Sequence, residues 1–365
     1  MIQLTKTIIQ GFKMSFYKYI RTLSIASAIS LTLVQTSALA KAPLSIDIKQ
    51  TNISTKLTQT QIQQVLQEAY NKFKNDDSGK NADYIKALAK VDSKIFGITL
   101  VTKDGKVYEI GDTKAKVSIQ SISKVFTVAK VMQEKGSKFV QEKIGVNATG
   151  LPFNSIMAIE LHNGSASNPF VNAGAIQTTS WVKAKDSKER WAKIKQNMDD
   201  FAGKKLDFNE EVYQSEVNDN KRNQAISKIL DAYGRMGSDP LEATTVYTKQ
   251  CSVNVSSHDL GVMASTFANH GVNPITNKKV LDSAYVPKML AVMATAGLYD
   301  NAGDWLYMTG LPAKSGVGGG ILAVVPGKMG IGVVSPRLDK YGNSIRAQKA
   351  ISYIVEKLHL NPYAR

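Results

Sequence analysis

Residues 119–124 read Ile119-Gln120-Ser121-Ile122-Ser123-Lys124, and an apolar-periodic segment follows them. Val125, Val128, Ala129 and Met132 recur at three- and four-residue spacing and Gly136 stops the pattern, so a helix is predicted to begin at the serine. On such a helix, side chains three residues apart share a face, which places Ser121 beside Lys124 and turns Ser123 elsewhere. A serine hydroxyl needs a base to become nucleophilic near neutral pH. A desolvated lysine can be that base once burial lowers its pKa. The start of the helix adds backbone N–H groups for a developing oxyanion. Alone, Ser-x-x-Lys recurs by chance on many exposed helices, so its surroundings carry the argument.

Upstream, residues 58–74 place Ile62, Val65, Leu66, Ala69, Tyr70 and Phe73 on one helical face, with Thr58 and Gln61 spaced as a capping box. Residues 95–102 form a β-branched run, Lys103-Asp104-Gly105 turns it, and residues 107–110 return, which reads as a hairpin. Downstream, residues from about 140 to 300 read as mainly helical. Among them, 222–233 stops at Gly234, and 256–269 opens on Ser256 and Asp259 and stops near Gly271. Strands return at 321–325 and 330–335 around Pro326-Gly327-Lys328, and a helix over 344–358 closes the chain. Strands near both ends with helices between them predict an α+β fold. One antiparallel sheet is assembled from both ends and covered by the terminal helices, with a mainly helical domain inserted. The α/β part is expected over about 58–135 and 300–365, and the helical part over about 136–299.

The chain has 365 residues, 43% hydrophobic and 21% charged, enough to bury a large core. Lys and Arg number 46 against 30 Asp and Glu, a formal charge of +16. The basic residues alternate with acids, as in Lys183-Ala184-Lys185-Asp186-Ser187-Lys188-Glu189-Arg190, and no aromatic-interleaved basic stripe accompanies them. A nucleic-acid partner is therefore not expected. Residues 1–40 differ from the rest. Lys6, Lys13, Lys18 and Arg21 come without an acid, an apolar run over 23–34 follows, and Ala38-Leu39-Ala40 ends the segment. That layout is a secretory signal peptide with cleavage after Ala40, from a start at Met1 or Met14. Ser24, Ser27, Ser30 and Thr32 dilute the apolar run, which argues against a lasting membrane anchor. The mature chain, residues 41–365, would be periplasmic or secreted and would begin with an extended stretch over 41–56.

Cys251 is the single cysteine, so no internal disulfide can form. Its setting, Lys249-Gln250-Cys251-Ser252-Val253-Asn254-Val255, reads as strand-like, and a buried inert thiol is expected. His162, His258, His270 and His359 show no metal-ligand spacing. In Gly316-Val317-Gly318-Gly319-Gly320, Ile321 stands where a dinucleotide fingerprint has its last glycine, and a strand follows instead of a helix. No metal or organic cofactor is expected.

Lys314-Ser315-Gly316 precedes the late strands. An early Ser-x-x-Lys with a late Lys-Ser/Thr-Gly resembles the penicilloyl-serine transferases, a serine β-lactamase and penicillin-binding-protein fold. No convincing Ser-x-Asn element lies between. The intervening blocks are similar to the serine-dependent, β-lactamase-like glutaminase family. They read Ala82-Asp83-Tyr84-Ile85, Ile119 to Lys124, Asn168-Pro169-Phe170-Val171-Asn172-Ala173-Gly174-Ala175-Ile176, Ser215-Glu216, Arg222-Asn223, Tyr247-Thr248-Lys249-Gln250-Cys251-Ser252, Gly297-Leu298-Tyr299-Asp300, and Leu311 to Gly320. The resemblance runs from about Gln61 to the closing helix. A secretion signal departs from relatives that look cytosolic.

The resemblance implies an amidohydrolase that takes L-glutamine to L-glutamate and ammonia. Ser121 is the implied nucleophile, Lys124 its base, and Tyr299 a proton relay that also touches the substrate. Tyr84, Ser121, Asn172, Glu216, Asn223, Tyr247 and Val317 would form the rest of the substrate site, Val317 through its backbone. A homo-oligomer, dimer or tetramer, is implied as well. The chemistry of the residues agrees. Glutamine carries an α-ammonium that wants a carboxylate, and Glu216 is the only acid in the set. Its carboxylate and amide want neutral donors, which Asn and Tyr supply. Two other readings stay open at this point: a penicillin-recognising hydrolase of the same fold, and a non-catalytic periplasmic glutamine-binding protein, which has no reason to keep Ser121 with Lys124.

Overall fold

The late strands alternate small or apolar residues with a purpose that the computed structural model, describing residues 57–364, makes visible. Gly330 and Gly332 lie on the side of their strand that meets a helix. A Cβ on Gly330 would stand 2.1 Å from Ser265 N, and one on Gly332 2.3 Å from Ser257 O. The helix can rest on the strand backbone only because these two positions carry no side chain. Met329, Ile331 and Val333 point the other way into an apolar core.

In chain order the elements are α1 (Gln59–Phe73), α2 (Lys86–Ala89), β1 (Gly97–Thr102), β2 (Val107–Gly111), β3 (Val117–Ser118), α3 (Ser123–Lys135), α4 (Ser137–Lys143), α5 (Met157–Leu161), α6 (Asn172–Ser180) and α7 (Ser187–Ala202). They continue with α8 (Glu210–Val217), α9 (Lys221–Ala232), α10 (Pro240–Cys251), β4 (Asn254–Val255), α11 (Ser257–Ala268), α12 (Val286–Ala296), α13 (Ala302–Thr309), β5 (Ala313–Gly316), β6 (Gly320–Val325), β7 (Met329–Val334) and α14 (Ile345–Lys357).

Five strands form one antiparallel sheet in the order β2-β1-β7-β6-β5. The early hairpin thus joins the late strands through β1 and β7, with Leu100 opposite Ile331. α1 and α14 cover one face, where Leu66, Ile98, Leu100, Ile331, Val333, Ile351 and Ile354 are all fully buried. Each such side chain stabilises the fold by about 1.5–3 kcal/mol relative to exposure. α1 opens with the Thr58–Gln61 capping box and α11 with the Ser256–Asp259 box. α11 covers the other face.

Helices α3 to α10 fill the middle of the chain. α6, α9 and α10 pack on one another around Ile176, Ile226, Leu230 and Tyr247. Every residue of α6 is buried. Cys251 departs from the strand-like expectation, since it is the last residue of α10, and the strand β4 begins at Asn254. The helix wins because Asp239 caps it and Pro240 opens it, signals that lie well ahead of the β-branched Val253 and Val255. Among the described residues no helix is long and apolar enough to cross a membrane. The signal segment, its cleavage site and the stretch over 41–56 lie outside the described residues.

Candidate active site

β3 pairs with β4, and Ile119 N donates to Val253 O at 2.7 Å, so the chain enters the site from a fixed ladder. At Gln120 the backbone turns to φ 51°, a left-handed conformation that costs a non-glycine residue energy. Gln120–Ile122 then form a single 3₁₀ turn, and α3 begins at Ser123. The predicted helix is therefore present but starts two residues later than Ser121, which sits on the preceding sharp turn. β5, the edge strand that contains Lys314-Ser315-Gly316, packs against this turn.

Lys124 is fully buried on α3. Its Nζ donates to Phe170 O at 3.0 Å and to Asn172 Oδ1 at 2.8 Å. Burial lowers its pKa to about 7. A neutral amine has two N–H groups and one lone pair, and here both N–H groups are taken, which leaves the lone pair to accept a proton. No hydrogen bond joins Lys124 Nζ to Ser121 Oγ in this structure, although both belong to the same turn of chain.

Tyr84, Ser121, Asn172, Glu216, Asn223, Tyr247 and Val317 line one pocket of about 390 Å³. Asn172, the first residue of α6, is its hub. Asn172 Oδ1 accepts from Lys124 Nζ and, at 3.1 Å, from the Tyr247 hydroxyl, while its Nδ2 donates to Asn223 Oδ1 at 3.1 Å. One N–H of Asn172 and both of Asn223 have no protein partner among the described residues. Glu216, on α8, is half buried, and burial pushes its carboxyl up to about 7 against the opposing hydrogen bond from Gln120. Tyr84 stands more than half exposed at the mouth. Val317 occupies the turn between β5 and β6, and its N–H makes no backbone hydrogen bond among the described residues.

Tyr299 belongs to the site but not to that pocket. It lines a smaller neighbouring cavity of about 160 Å³, while its hydroxyl lies 3.5 Å from Ser315 O, and burial raises its pKa against a lowering by the Ser121 hydroxyl. Its backbone is left-handed, with φ 52°. Cys251 does line the pocket, buried, with its thiol pushed up to about 12 by burial. Ser123 does not line it and lies 3.9 Å from Cys251 Sγ. No cluster of three or more potential metal ligands occurs among the described residues.

Two contributors escaped the sequence reading. Gln120 Nε2 donates to Glu216 Oε1 at 2.7 Å and so orients the carboxylate. Phe153 lies on a loop over the pocket and packs on Tyr299, ring centres 4.9 Å apart. That loop is tied down by Asn172 N to Phe153 O at 2.7 Å and by Arg222 Nε to Asn154 O at 2.9 Å. Gln120 stood next to the serine without a role. Phe153 sits in an aperiodic stretch, where only an apolar residue amid Pro152 and Asn154 hinted at it.

A sequence model of the family described as Glutaminase matches residues 79–363. A glutaminase of Colwellia psychrerythraea is 57% identical over 300 residues, which are 82% of this chain and 96% of that protein. One from Mycobacterium ulcerans is 46% identical over 306 residues, 84% of this chain and 96% of its own length. Among solved structures, one named "Probable glutaminase ybaS" superposes with a TM-score of 0.84 at 45% identity, covering 85% of this chain and all of its own. A Bacillus glutaminase superposes with a TM-score of 0.74 at 28% identity, covering 83% of this chain and 99% of its own.

Proposed function

Because the chain belongs to the glutaminase family, with its α+β, serine β-lactamase-like fold, and hydrolyses glutamine to glutamate, we propose that it does so through a γ-glutamyl ester on Ser121. The observation that carries this reading is the Lys124 amine. It is fully buried, its N–H groups are spent on two oxygens, and its pKa is depressed to about 7.

The steps follow from those groups. The Lys124 lone pair takes the Ser121 proton, and Oγ attacks the γ-carbonyl. The negative oxygen is received by the N–H of Val317 together with that of Ser121. The tetrahedral centre collapses with loss of the C–N bond; the Tyr299 hydroxyl gives its proton to the departing nitrogen, which leaves as ammonia, and takes in its place the proton held on Lys124, which becomes a free amine again. Water, deprotonated by Lys124, then cleaves the ester and returns glutamate and the serine hydroxyl. Every proton transfer has a side chain to perform it, and no cofactor enters.

Recognition of L-glutamine uses the rest of the pocket. Glu216 pairs with the α-ammonium, the remaining N–H groups of Asn172 and Asn223 with the Tyr84 hydroxyl take the carboxylate, and Tyr247, whose O–H is given to Asn172 Oδ1, walls the pocket and holds Asn172 in place. A diazoketone analogue of glutamine should add its mass to the peptide containing Ser121. A label on Cys251, or ammonia release by Ser121→Ala at the native rate, overturns the serine mechanism while leaving the reaction in place.

The export reading follows the basic, apolar and Ala-x-Ala layout of residues 1–40. The mature protein, periplasmic or secreted, should have the intact mass of a chain beginning at Lys41; full-length protein retained in the cytosol counts against it. Assembly as a dimer or tetramer is carried over from the family resemblance, and sedimentation is the check.

A further inference from the structure

The late Lys-Ser-Gly element does not present its lysine to the pocket. Lys314 is fully buried in β5 and is not among the residues that line the substrate cavity. Its Nζ donates to Gly297 O at 2.9 Å and to Ser315 O at 2.7 Å, and stands 4.3 Å from the centre of the Tyr299 ring. Gly297 O is the carbonyl two residues ahead of Tyr299, and Ser315 O is the carbonyl that the Tyr299 hydroxyl approaches. One amine therefore braces the chain entering Tyr299, the flat of its ring and the group beside its hydroxyl.

Tyr299 needs such bracing. Its φ of 52° places a bulky residue in the left-handed region, where a free chain would not hold it. Phe153 packs on its ring. Asn343 Nδ2 donates to Leu298 O at 3.3 Å, and Asn343 Oδ1 accepts from Ser315 Oγ at 2.6 Å, so the neighbouring carbonyl is held from the same strand. Burial, and the nearby Lys124, drive the pKa of Lys314 well down. A neutral amine has two N–H groups to give, and the two carbonyls take both.

We propose that Lys314 is a positioning residue for Tyr299: it holds the phenol where it can pass a proton at Ser121 and makes no contact with substrate. This rests on the reading of Tyr299 as the proton relay.

The experiment compares Lys314→Met, Tyr299→Phe and the double variant on L-glutamine. Rates are taken per folded site, counted by calorimetric binding of L-glutamate. Lys314→Met should lose on the order of 10²-fold in kcat, the cost of a misplaced catalytic group. KM should stay within about threefold, because the pocket is untouched. In the Tyr299→Phe background the same change should cost less than about threefold. Lys314→Gln keeps N–H donors on a shorter arm and should fall between, which also serves if the methionine variant does not fold. Wild-type kcat per site in Lys314→Gln or Lys314→Met, with Tyr299→Phe slow, overturns the positioning role alone. Equal losses in both backgrounds overturn it too, since Lys314 would then act elsewhere. Full activity in Tyr299→Phe overturns the relay reading and the inference together.

Discussion

The two buried regions that flank the sheet are made of different matter. Between the sheet and helices α1 and α14, the interior is Leu66, Ile98, Leu100, Ile331, Val333, Ile351 and Ile354, all apolar and all fully buried. Around Ser121, at the junction with the helices, the interior holds Gln120, Ser123, Lys124, Thr127, Asn172 and Gln250. Removing apolar surface from water stabilises, at roughly 25 cal/mol per Å². Burying an amine or a carboxyl costs, unless hydrogen bonds or loss of charge offset it. The first region holds the molecule together, and the second uses part of that stability to keep Lys124 and Glu216 away from their ordinary protonation equilibria. Stability and chemistry are thus separable by position, and substitutions can test the separation from each side.

The largest effect should come from the polar side. Ser121→Ala and Lys124→Ala should each lower kcat by roughly 10⁴-fold or more, with the double variant little worse, because the two act as a unit. Ser123→Ala, between them but off the pocket, should remain within about threefold of wild type. Independent, multiplying losses from Ser121 and Lys124 would break the pairing.

On the apolar side, Ile331→Ala should cost about 2–5 kcal/mol of stability, read from denaturant midpoints, with kcat unchanged in the folded fraction. A fall in kcat at full folding would mean that the two regions are coupled.

A smaller effect distinguishes binding from chemistry within the polar region. Glu216→Gln should lower kcat/KM by roughly ten- to a hundredfold, about 1.5–3 kcal/mol for a lost charge-assisted hydrogen bond, mostly through KM. Unchanged kinetics would remove Glu216 from recognition.

The pH profile sharpens the comparison further. Lys124 works as the free amine and Glu216 as the carboxylate, and both have been moved to about 7 from opposite sides. Falling pH protonates both, so the acid limb of kcat/KM should be steeper than one proton, with kcat reporting Lys124 and KM reporting Glu216. Glu216→Gln should reduce that limb to a single ionisation. A one-proton limb in the wild type would separate the two groups.

The apolar region was also the more legible one in the sequence. The hairpin over 95–110, the strands around Pro326-Gly327-Lys328 and the capped helices at 58 and 256 announced themselves by period and by turn chemistry, which are local properties. A single sheet drawn from both ends was legible too, but that β1 and β7 are the strands that join was not, since no local signal names a partner. Around Ser121 local signals ran out. Gln120 adopts a left-handed backbone that its side chain does not advertise, so the helix start was placed two residues early. The β-branched residues after Cys251 are Val253, just ahead of β4, and Val255 within it, and they give Cys251 a strand-like look although the helix that contains it starts at Asp239-Pro240. The loop at Phe153 has no period at all, because it is set by contacts with α6 and α9. Lys314 was visible as a motif, yet its side chain's direction depends on where Gly297 and Tyr299 arrive from elsewhere in the chain.

The β1–β7 ladder has a consequence for how the protein comes into being. Its two strands are made at opposite ends of synthesis, and a contact so distant in sequence is slow to close. Strand β5, whose Ser315 and Lys314 abut Tyr299, is likewise among the last segments made. A chain still emerging from the ribosome thus carries its serine and lysine long before it has the edge against which they work. Catalysis is therefore available only once the late strands have joined the sheet.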